Sequence, residues 1–351
     1  MEKNKKVAII GGGAAGFFAA LSAKHHHPGA SVSLFEKTSK VLSKVKISGG
    51  GRCNVTNATY DINTLCNAYP RGGKQLKNIF YHFNTTDTQA WFENRGVPLK
   101  TEPDGRVFPV SNQSQSIIDC LESEAKKLGV DIIYQAAVSS LTKEGEKWKI
   151  HFSKEPQEQL FDAVIIATGG SPKLQGFQWL KDLGHTIAPP LPSLFTFNIP
   201  KNTITELMGV AVENAKIKIK GHNIETEGAL LITHWGMSGP AILKASAFGA
   251  PALAGCQYNF EIQVNWIGER NTELLFNRLL ACALEHPQKS VRSKKHFPYL
   301  SGYGTISLIK QKYQLIKNGL IWVKRKEDTW LNFSLMMYIP FQVKLLSKKS
   351  L

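Results

Sequence analysis

The feature that most restricts the fold is a glycine-rich turn between an apolar strand and a helix. Residues 6–23 read KVAIIGGGAAGFFAALSA, so the apolar run 7–10 enters the pattern Gly-x-Gly-x-x-Gly. In a dinucleotide-binding fold the first glycine makes the turn, the second admits the pyrophosphate and the third lets helix and strand pack closely. The helix start offers free amides to the phosphates. The cofactor-binding residues predicted here are Gly11, Gly13, Ala14, Ala15 and Gly16.

A carboxylate follows at the spacing that such a fold requires. The second apolar strand, SVSLFEK, places Glu36 twenty residues after Gly16, where a carboxylate can accept hydrogen bonds from ribose hydroxyls. An acid at this position disfavours a 2′-phosphate, which indicates FAD or NAD rather than NADP. Lys37, the next residue, is included among the predicted cofactor contacts.

Two more glycine-rich segments are predicted to lie beside the cofactor. After Glu36 the chain does not continue into further strand-helix units, as a nicotinamide dehydrogenase would, but enters SGGGRCN at residues 48–54. Consecutive glycines let the backbone approach a bound group, although an ordinary surface turn is the alternative. A third apolar strand, 163–167, ends in a Thr-Gly-Gly sequence. The residues concerned are Ser48, Gly49, Gly50, Gly51, Arg52, Cys53, Asn54, Thr168, Gly169 and Gly170.

The order of these motifs resembles that of a known family. The motifs are GGGAAG, the acid at 36, SGGGRCNVTN, DGRVFPVS at 104–111, ATGG, LGHTI at 183–187 and THWGMSGPAIL at 233–243. They are similar to the motifs of the BaiN/RdsA-like FAD-dependent oxidoreductases, over residues from about 5 to about 290. The resemblance implies bound FAD, a reductant of the NAD(P)H type, and an insert domain between two parts of the flavin domain.

The expected fold class is α/β, with a Rossmann-like FAD-binding domain at 1–190 and a β-rich insert domain at 191–290. Prolines at 189, 190 and 192 indicate a domain crossing, and short alternating segments follow, such as AKIKIKG and QYNFEIQVNW. Within the first domain, the pattern of 74–95 predicts a helix that ends at Gly96.

The sequence offers two candidates for catalysis. No second Gly-x-Gly-x-x-Gly is present, so NAD(P)H is expected to visit the flavin transiently. Reduction of an activated C=C bond requires a proton donor, and Cys53 beside Arg52 is the best placed acid, its pKa expected to be lowered by the guanidinium. Cys53 could instead only pack or touch the flavin. His234 is either a residue facing the substrate or a structural histidine at a strand end. Arg106 and Ser111 face the flavin or are surface residues.

Composition and cysteine usage favour a cytoplasmic protein. No apolar run approaches the roughly 18 residues of a membrane span, and the N-terminal MEKNKK leads directly into a strand. The five cysteines are odd in number and lack a C-x-x-C pair, which argues against a disulfide framework or zinc site. The triplet 25–27 of histidines is interpreted as a solvated helix end, so no metal is expected. The oligomeric state stays open.

The substrate is either ribosomal RNA or a small molecule. The family is associated with reduction of steroid-like enones, oxidation of small amines, and dihydrouridine formation in ribosomal RNA, here 23S rRNA. The formal charge of +16 favours a phosphate-rich partner. However, residues 291–351 hold twelve Lys and Arg against two acids, so much of this charge lies in the tail.

The segment 291–351 is interpreted as an out-of-frame tail. From about residue 292 the family resemblance and regular patterning are lost. When residues 336–351 and 299–307 are translated back into their possible codons and these codons are read in a shifted frame, both become compatible with family-like segments. We therefore expect a frameshift near 290–298, a missing last part of the FAD domain, weak or absent FAD binding, and a tail that is disordered or poorly packed.

Overall fold

The computed structural model describes residues 5–153, 159–171, 173–200, 202–266 and 338–344. The chain divides into two compact units, Met1–Pro190 and Leu191–Leu351. The division falls within the proline-rich segment 189–192.

The first unit is an α/β assembly around a four-stranded parallel sheet. Its elements are β1 (Lys6–Ile10), α1 (Ala14–His26), β2 (Ser31–Phe35), α2 (Ser43–Ile47), β3 (Thr56–Asn57), α3 (Ile62–Asn67), α4 (Gly73–His82), α5 (Thr85–Glu93), β4 (Leu99–Thr101), β5 (Arg106–Pro109), α6 (Ser114–Lys127), β6 (Val130–Ile133), β7 (Val138–Glu144), β8 (Lys147–Phe152), β9 (Gln159–Phe161), β10 (Ala163–Ile166) and α7 (Gln178–Asp182). The parallel sheet has the order β10-β1-β2-β6. Two antiparallel sheets, β3-β5-β4 and β7-β8-β9, complete the unit.

Both faces of the sheet are covered at β1, which explains the unbroken apolar run of this strand. Val7 and Ile9 pack in a core with residues of α1 and α6. Ala8 and Ile10 point to the other face, where they join a core that includes Ile150 of β8. Strands that are buried on both faces have continuous rather than alternating hydrophobicity. The Rossmann-like prediction from this run is confirmed.

The single helix predicted for 74–95 is wrong, because the structure breaks it into α4 and α5. Asn84 caps α5: its side chain accepts from the amide of Thr86 at 2.8 Å. Asp87 returns the interaction by accepting from the Asn84 amide at 2.8 Å. This capping box begins a new helix at this point, although the helical pattern of the sequence continues through it.

In its described residues, the second unit is a closed β-barrel with one α-helix. Its elements are β11 (Phe197–Asn198), β12 (Ala211–Ile219), β13 (Ile224–Thr233), β14 (Gly236–Ser238), α8 (Pro240–Gly255), β15 (Asn259–Asn265) and β16 (Tyr338–Lys344). The barrel order is β11-β14-β13-β12-β15-β16. Its core includes Phe197, Ile217 and Ile262 from the strands and Ile242 from α8.

Part of the presumed out-of-frame tail is packed in this barrel. Residues 338–344 form β16, which pairs antiparallel with β15 along its length and with β11 at one position. Val343 is buried in the barrel core. The segment YIPFQVK alternates apolar and polar residues toward its end, as a barrel strand requires. The expectation of poor packing is therefore wrong for these seven residues, and the rest of 291–351 lies outside the described residues.

Candidate cofactor site

Two glycines of the first turn are required by the protein's own packing. Gly11 has a φ of +115°, and a Cβ there would overlap the carbonyl oxygen of Ala167 at the end of β10. A Cβ on Gly16 would overlap the carbonyl oxygen of Gly11. These contacts bring the turn after β1, the first turn of α1 and the end of β10 together.

Gly13 and Gly170 have no such internal reason to be glycine. Gly13 has a φ of −90°, which any residue can adopt. Among the described residues, nothing lies within 4 Å of a Cβ built on Gly13 or on Gly170. Gly170 is also outside the left-handed region. The absent side chains leave open space beside the backbone, which fits a bound group that approaches it closely.

Glu36 is hydrogen-bonded to the glycine turn that follows β1. Its Oε2 accepts from the amide of Gly12 at 2.9 Å. Its Oε1 accepts from the amide and the hydroxyl of Thr38, both at 2.9 Å. The carboxylate therefore lies where the carboxyl ends of β1 and β2 meet, the position at which this fold binds a ribose. Lys37 beside it is exposed.

Lys44 on α2 is a candidate site residue that none of the sequence motifs indicates. Its Nζ lies 3.8 Å from the Cβ position of Gly169. α2 is anchored to the first turn, because the amide of Leu42 donates to the carbonyl of Gly12 at 2.8 Å. The position of α2 between Glu36 and the second glycine segment indicates that its residues lie near the predicted cofactor site. Only the structure shows which of its lysines lies beside the loop after β10. Ile47, at its end, is 75% exposed.

The second glycine segment forms a left-handed turn. Gly49, Gly50 and Gly51 have φ values of 55°, 69° and 85°, which side chains rarely adopt. The turn is closed by the amide of Cys53, which donates to the carbonyl of Ser48 at 3.0 Å. Among the described residues, nothing lies within 4 Å of a Cβ on Gly50 or Gly51, so this part of the turn faces open space.

Residues 52 and 54 fasten this turn to the neighbouring sheet. Arg52 Nη1 lies 2.6 Å from Glu102 Oε1, and the guanidinium stacks 3.9 Å from the ring centroid of Phe108. Arg106 also pairs with Glu102, at 3.3 Å. The side-chain amide nitrogen of Asn54, in the orientation that satisfies its hydrogen bonds, donates to the backbone carbonyls of Thr56 and Val107, at 2.9 and 3.2 Å.

Cys53 differs from the expectation. The side chain is buried, with 6% exposure, and has a left-handed φ of 62°. Burial raises the pKa of the Cys53 thiol, and a hydrogen bond with Ser48 offsets part of this effect. The predicted lowering of the pKa is wrong, because desolvation by burial dominates; Arg52 pairs with Glu102. The thiol is therefore neutral at neutral pH.

His234 lies in the second unit, on the exposed turn between β13 and β14. Its ring meets the ring of Trp235 edge-on, with centroids 4.3 Å apart. The hydroxyl of the preceding Thr233 is buried and has no hydrogen-bond partner among the described residues. Pro240 is the first residue of α8, as predicted.

The histidine triplet forms an exposed end of α1, as predicted. Within the described ranges, no group of three or more potential ligands could hold a metal ion. In the same ranges, no helix is long and apolar enough to cross a membrane.

Comparison with known proteins gives relatives of two activities. The chain is 27% identical over 232 residues to the 3-dehydro-bile acid delta(4,6)-reductase of Clostridium scindens, covering 64% of this chain and 55% of that protein. It is 28% identical to the ribosomal RNA dihydrouridine synthase of Haemophilus influenzae, covering 75% and 67%. Identity to the Escherichia coli protein of the same name is 29%, covering 76% and 64%. The chain thus spans between about half and two thirds of these relatives.

Among solved structures, E. coli quinol fumarate reductase FrdA has a TM-score of 0.44 at 15% identity, covering 81% of this chain and 57% of that one. Thermovibrio ammonificans THI4 has a TM-score of 0.35 at 16% identity, covering 54% and 63%. The family resemblance predicted from the motifs is confirmed by the sequence matches, although its predicted end at about residue 290 is wrong, because the family match continues to residue 311. With a match over residues 5–311, the chain belongs to the family described as HI0933-like protein Rossmann domain.

Proposed function

We propose that this chain is an FAD-dependent oxidoreductase that uses NAD(P)H to reduce an activated C=C bond. The leading candidate reaction is conversion of uridine to dihydrouridine in 23S rRNA, which would take place in the cytoplasm. The observation that carries FAD binding is the open space at Gly13 and Gly170, two glycines that the protein's own packing does not require.

The residues of the first unit fit the parts of FAD. Glu36 would hold a ribose of bound FAD through its carboxylate, and the amides at the start of α1 would bind the pyrophosphate. Lys44 brings a cation to the loop after β10. When bound, FAD supplies hydride transfer. The left-handed turn 48–51 offers an open backbone surface to the cofactor.

Reduction of a C=C bond also consumes a proton. The Cys53 thiol is neutral and so carries a proton, and it stays a proposed donor. Because its side chain is buried, donation would require that the substrate gain access to the thiol. His234, which is exposed, stays the second proposed donor.

The relatives support two substrate classes. Two of them are named as ribosomal RNA dihydrouridine synthases and support uridine in RNA. The bile acid reductase supports the alternative, a small-molecule flavoenzyme that reduces an enone or oxidises an amine. A third possibility of another class is a non-catalytic FAD- or RNA-binding remnant of a frameshifted gene.

The visible spectrum of the purified chain separates these functions. With FAD supplied in excess, we expect a yellow complex that is bleached by NADH or NADPH under anaerobic conditions and reoxidised by unmodified 23S rRNA, with dihydrouridine detected by mass mapping. Reoxidation by a steroid enone but not by RNA would favour the small-molecule reading. A colourless protein, or one that NAD(P)H does not bleach, would contradict an oxidoreductase.

A further inference from the structure

Helix α4 leaves large side chains in solvent. It contains no buried residue, although its sequence is amphipathic. Ile79 and Tyr81 are 57% and 63% exposed, and Phe83 after the helix is 40% exposed. Large apolar side chains left in solvent are typical of interaction sites when they lie together in one patch.

Three exposed tyrosines lie on the α3–α4 hairpin. Tyr60 precedes Asp61, whose pKa is lowered chiefly by hydrogen bonds from Thr64 and further by the charge of Lys77 on α4. Tyr60 directly precedes the cap of α3, and α3 packs against α4. Tyr81 is one turn after Lys77 on the same helix. Tyr69, between the helices, packs against Phe80 with ring centroids 5.5 Å apart and stays 42% exposed.

The same hairpin is basic. Residues 60–83 contain Arg71, Lys74 and Lys77 but a single acid, Asp61, which caps α3 through Thr64. Lys74 is exposed. We define the α3–α4 face by its exposed tyrosines and its cations, which are Tyr60, Tyr69, Tyr81, Arg71, Lys74 and Lys77.

We propose that the α3–α4 face binds single-stranded RNA next to the uridine to be reduced. Aromatic rings stack on unpaired bases, and adjacent cations contact the phosphates. This inference rests on the proposed RNA substrate. Tyr60 lies six positions after Asn54 of the glycine turn, so their Cα atoms lie within roughly 20 Å of each other. Nucleotides flanking the target can span that distance.

Charge favours RNA over a second copy of this chain at the face. Two such faces would bring like charges together, whereas a polyanion neutralises them. The three tyrosines also offer planar rings at low conformational cost, which suits bases better than an apolar protein surface.

Fluorescence anisotropy of the full chain with a labelled single-stranded oligouridine of about twelve nucleotides tests the proposal. Tyr60→Ala and Tyr81→Ala should each weaken binding on the order of tenfold, whereas Tyr81→Phe should retain it because stacking needs no hydroxyl. Lys74→Gln should lower the slope of log affinity against log salt by about 0.7. The matched controls are Phe248→Ala and Lys126→Gln, exposed residues elsewhere on the chain.

The outcomes separate this surface from the proposed reaction. Loss of RNA affinity in the tyrosine variants, with FAD content and oligomeric state unchanged and the controls unaffected, supports the face. Equal affinity in variant and parent, or no RNA binding by the parent, overturns it. Variants that change only the sedimentation of the protein show a self-association surface and also overturn it. RNA binding through the face without formation of dihydrouridine would support the proposed RNA-binding face and contradict the proposed reaction.

Discussion

Glu102 holds Arg52 at 2.6 Å, and this ion pair fastens the glycine turn 48–54 to the β3-β5-β4 sheet. The side chains of Arg52 and Glu102 are only 33% and 23% exposed, respectively, and the guanidinium also lies over the ring of Phe108. Arg52 is therefore oriented toward the sheet. The shape of the turn that we assign to FAD depends on a carboxylate fifty positions away in the chain.

Replacement of that carboxylate should loosen the turn. Glu102→Gln keeps the side-chain volume but removes the charge shared by Arg52 and Arg106. We expect a loss of about 0.5–1 kcal/mol in the free energy of unfolding. FAD affinity should fall severalfold, since the turn is no longer fixed before binding. Urea unfolding and flavin fluorescence titration measure the two effects, with exposed Glu93→Gln as control. An unchanged FAD affinity would show that the turn is rigid without this pair.

Substitution by alanine should lower FAD affinity at Gly13 but fold stability at Gly16. Gly13→Ala adds a Cβ into open space at an ordinary φ, so thermal stability should be kept, whereas FAD affinity should fall about tenfold or more because the methyl group occupies the pyrophosphate position. Gly16→Ala creates an overlap with the backbone of Gly11 and should destabilise the fold itself. Melting temperature and FAD content report the two effects. A Gly13→Ala protein with full FAD affinity would contradict the assigned pyrophosphate position.

Lys44 should contribute to cofactor binding through its charge. Lys44→Gln should weaken FAD binding severalfold and make it less dependent on salt, because one cation beside the loop after β10 is lost. Lys40→Gln, an exposed lysine just before α2, serves as control. Isothermal titration with FAD at two salt concentrations provides the measurement. Equal salt dependence in the parent and in Lys44→Gln would remove Lys44 from the site.

Cys53 should be unreactive at neutral pH. Its folded-state pKa is raised above the reference value of 9.0, so the neutral thiol persists in the native state at pH values where an unfolded cysteine ionises. The corresponding stability is present below that reference value and is lost as pH rises through the folded pKa. Native alkylation by iodoacetamide at pH 8, followed by mass spectrometry, should be much slower at Cys53 than in urea. Rapid native alkylation would contradict the burial described here.

The role of Cys53 as proton donor needs a separate variant. If it donates the proton, Cys53→Ala should retain FAD and its reduction by NAD(P)H but lose product formation by about 100-fold or more. Stopped-flow reduction and product analysis measure these steps separately. A Cys53→Ala protein that binds FAD and turns over fully would exclude the role. His234→Ala, assayed in parallel, tests the alternative donor.

The sequence alone determined the parts of this protein whose chemistry is local. The strand, the glycine turn, the start of α1 and the position of Glu36 follow from spacing along 6–36, because each contact there joins residues close in the chain or at the ends of adjacent strands. Pro240 likewise marks the start of α8, since proline fits the first helical position.

Only the tertiary structure decided the features that depend on distant residues. Arg52 is beside Cys53 in sequence, yet its partner is Glu102, and burial among non-local neighbours raises the thiol pKa that the sequence suggested would fall. The lysine that meets the loop after β10, and the pairing of β16 with β15, are likewise set by contacts between segments far apart in the chain. Desolvation and pairing across such separations depend on how the chain packs, which adjacency in sequence does not encode.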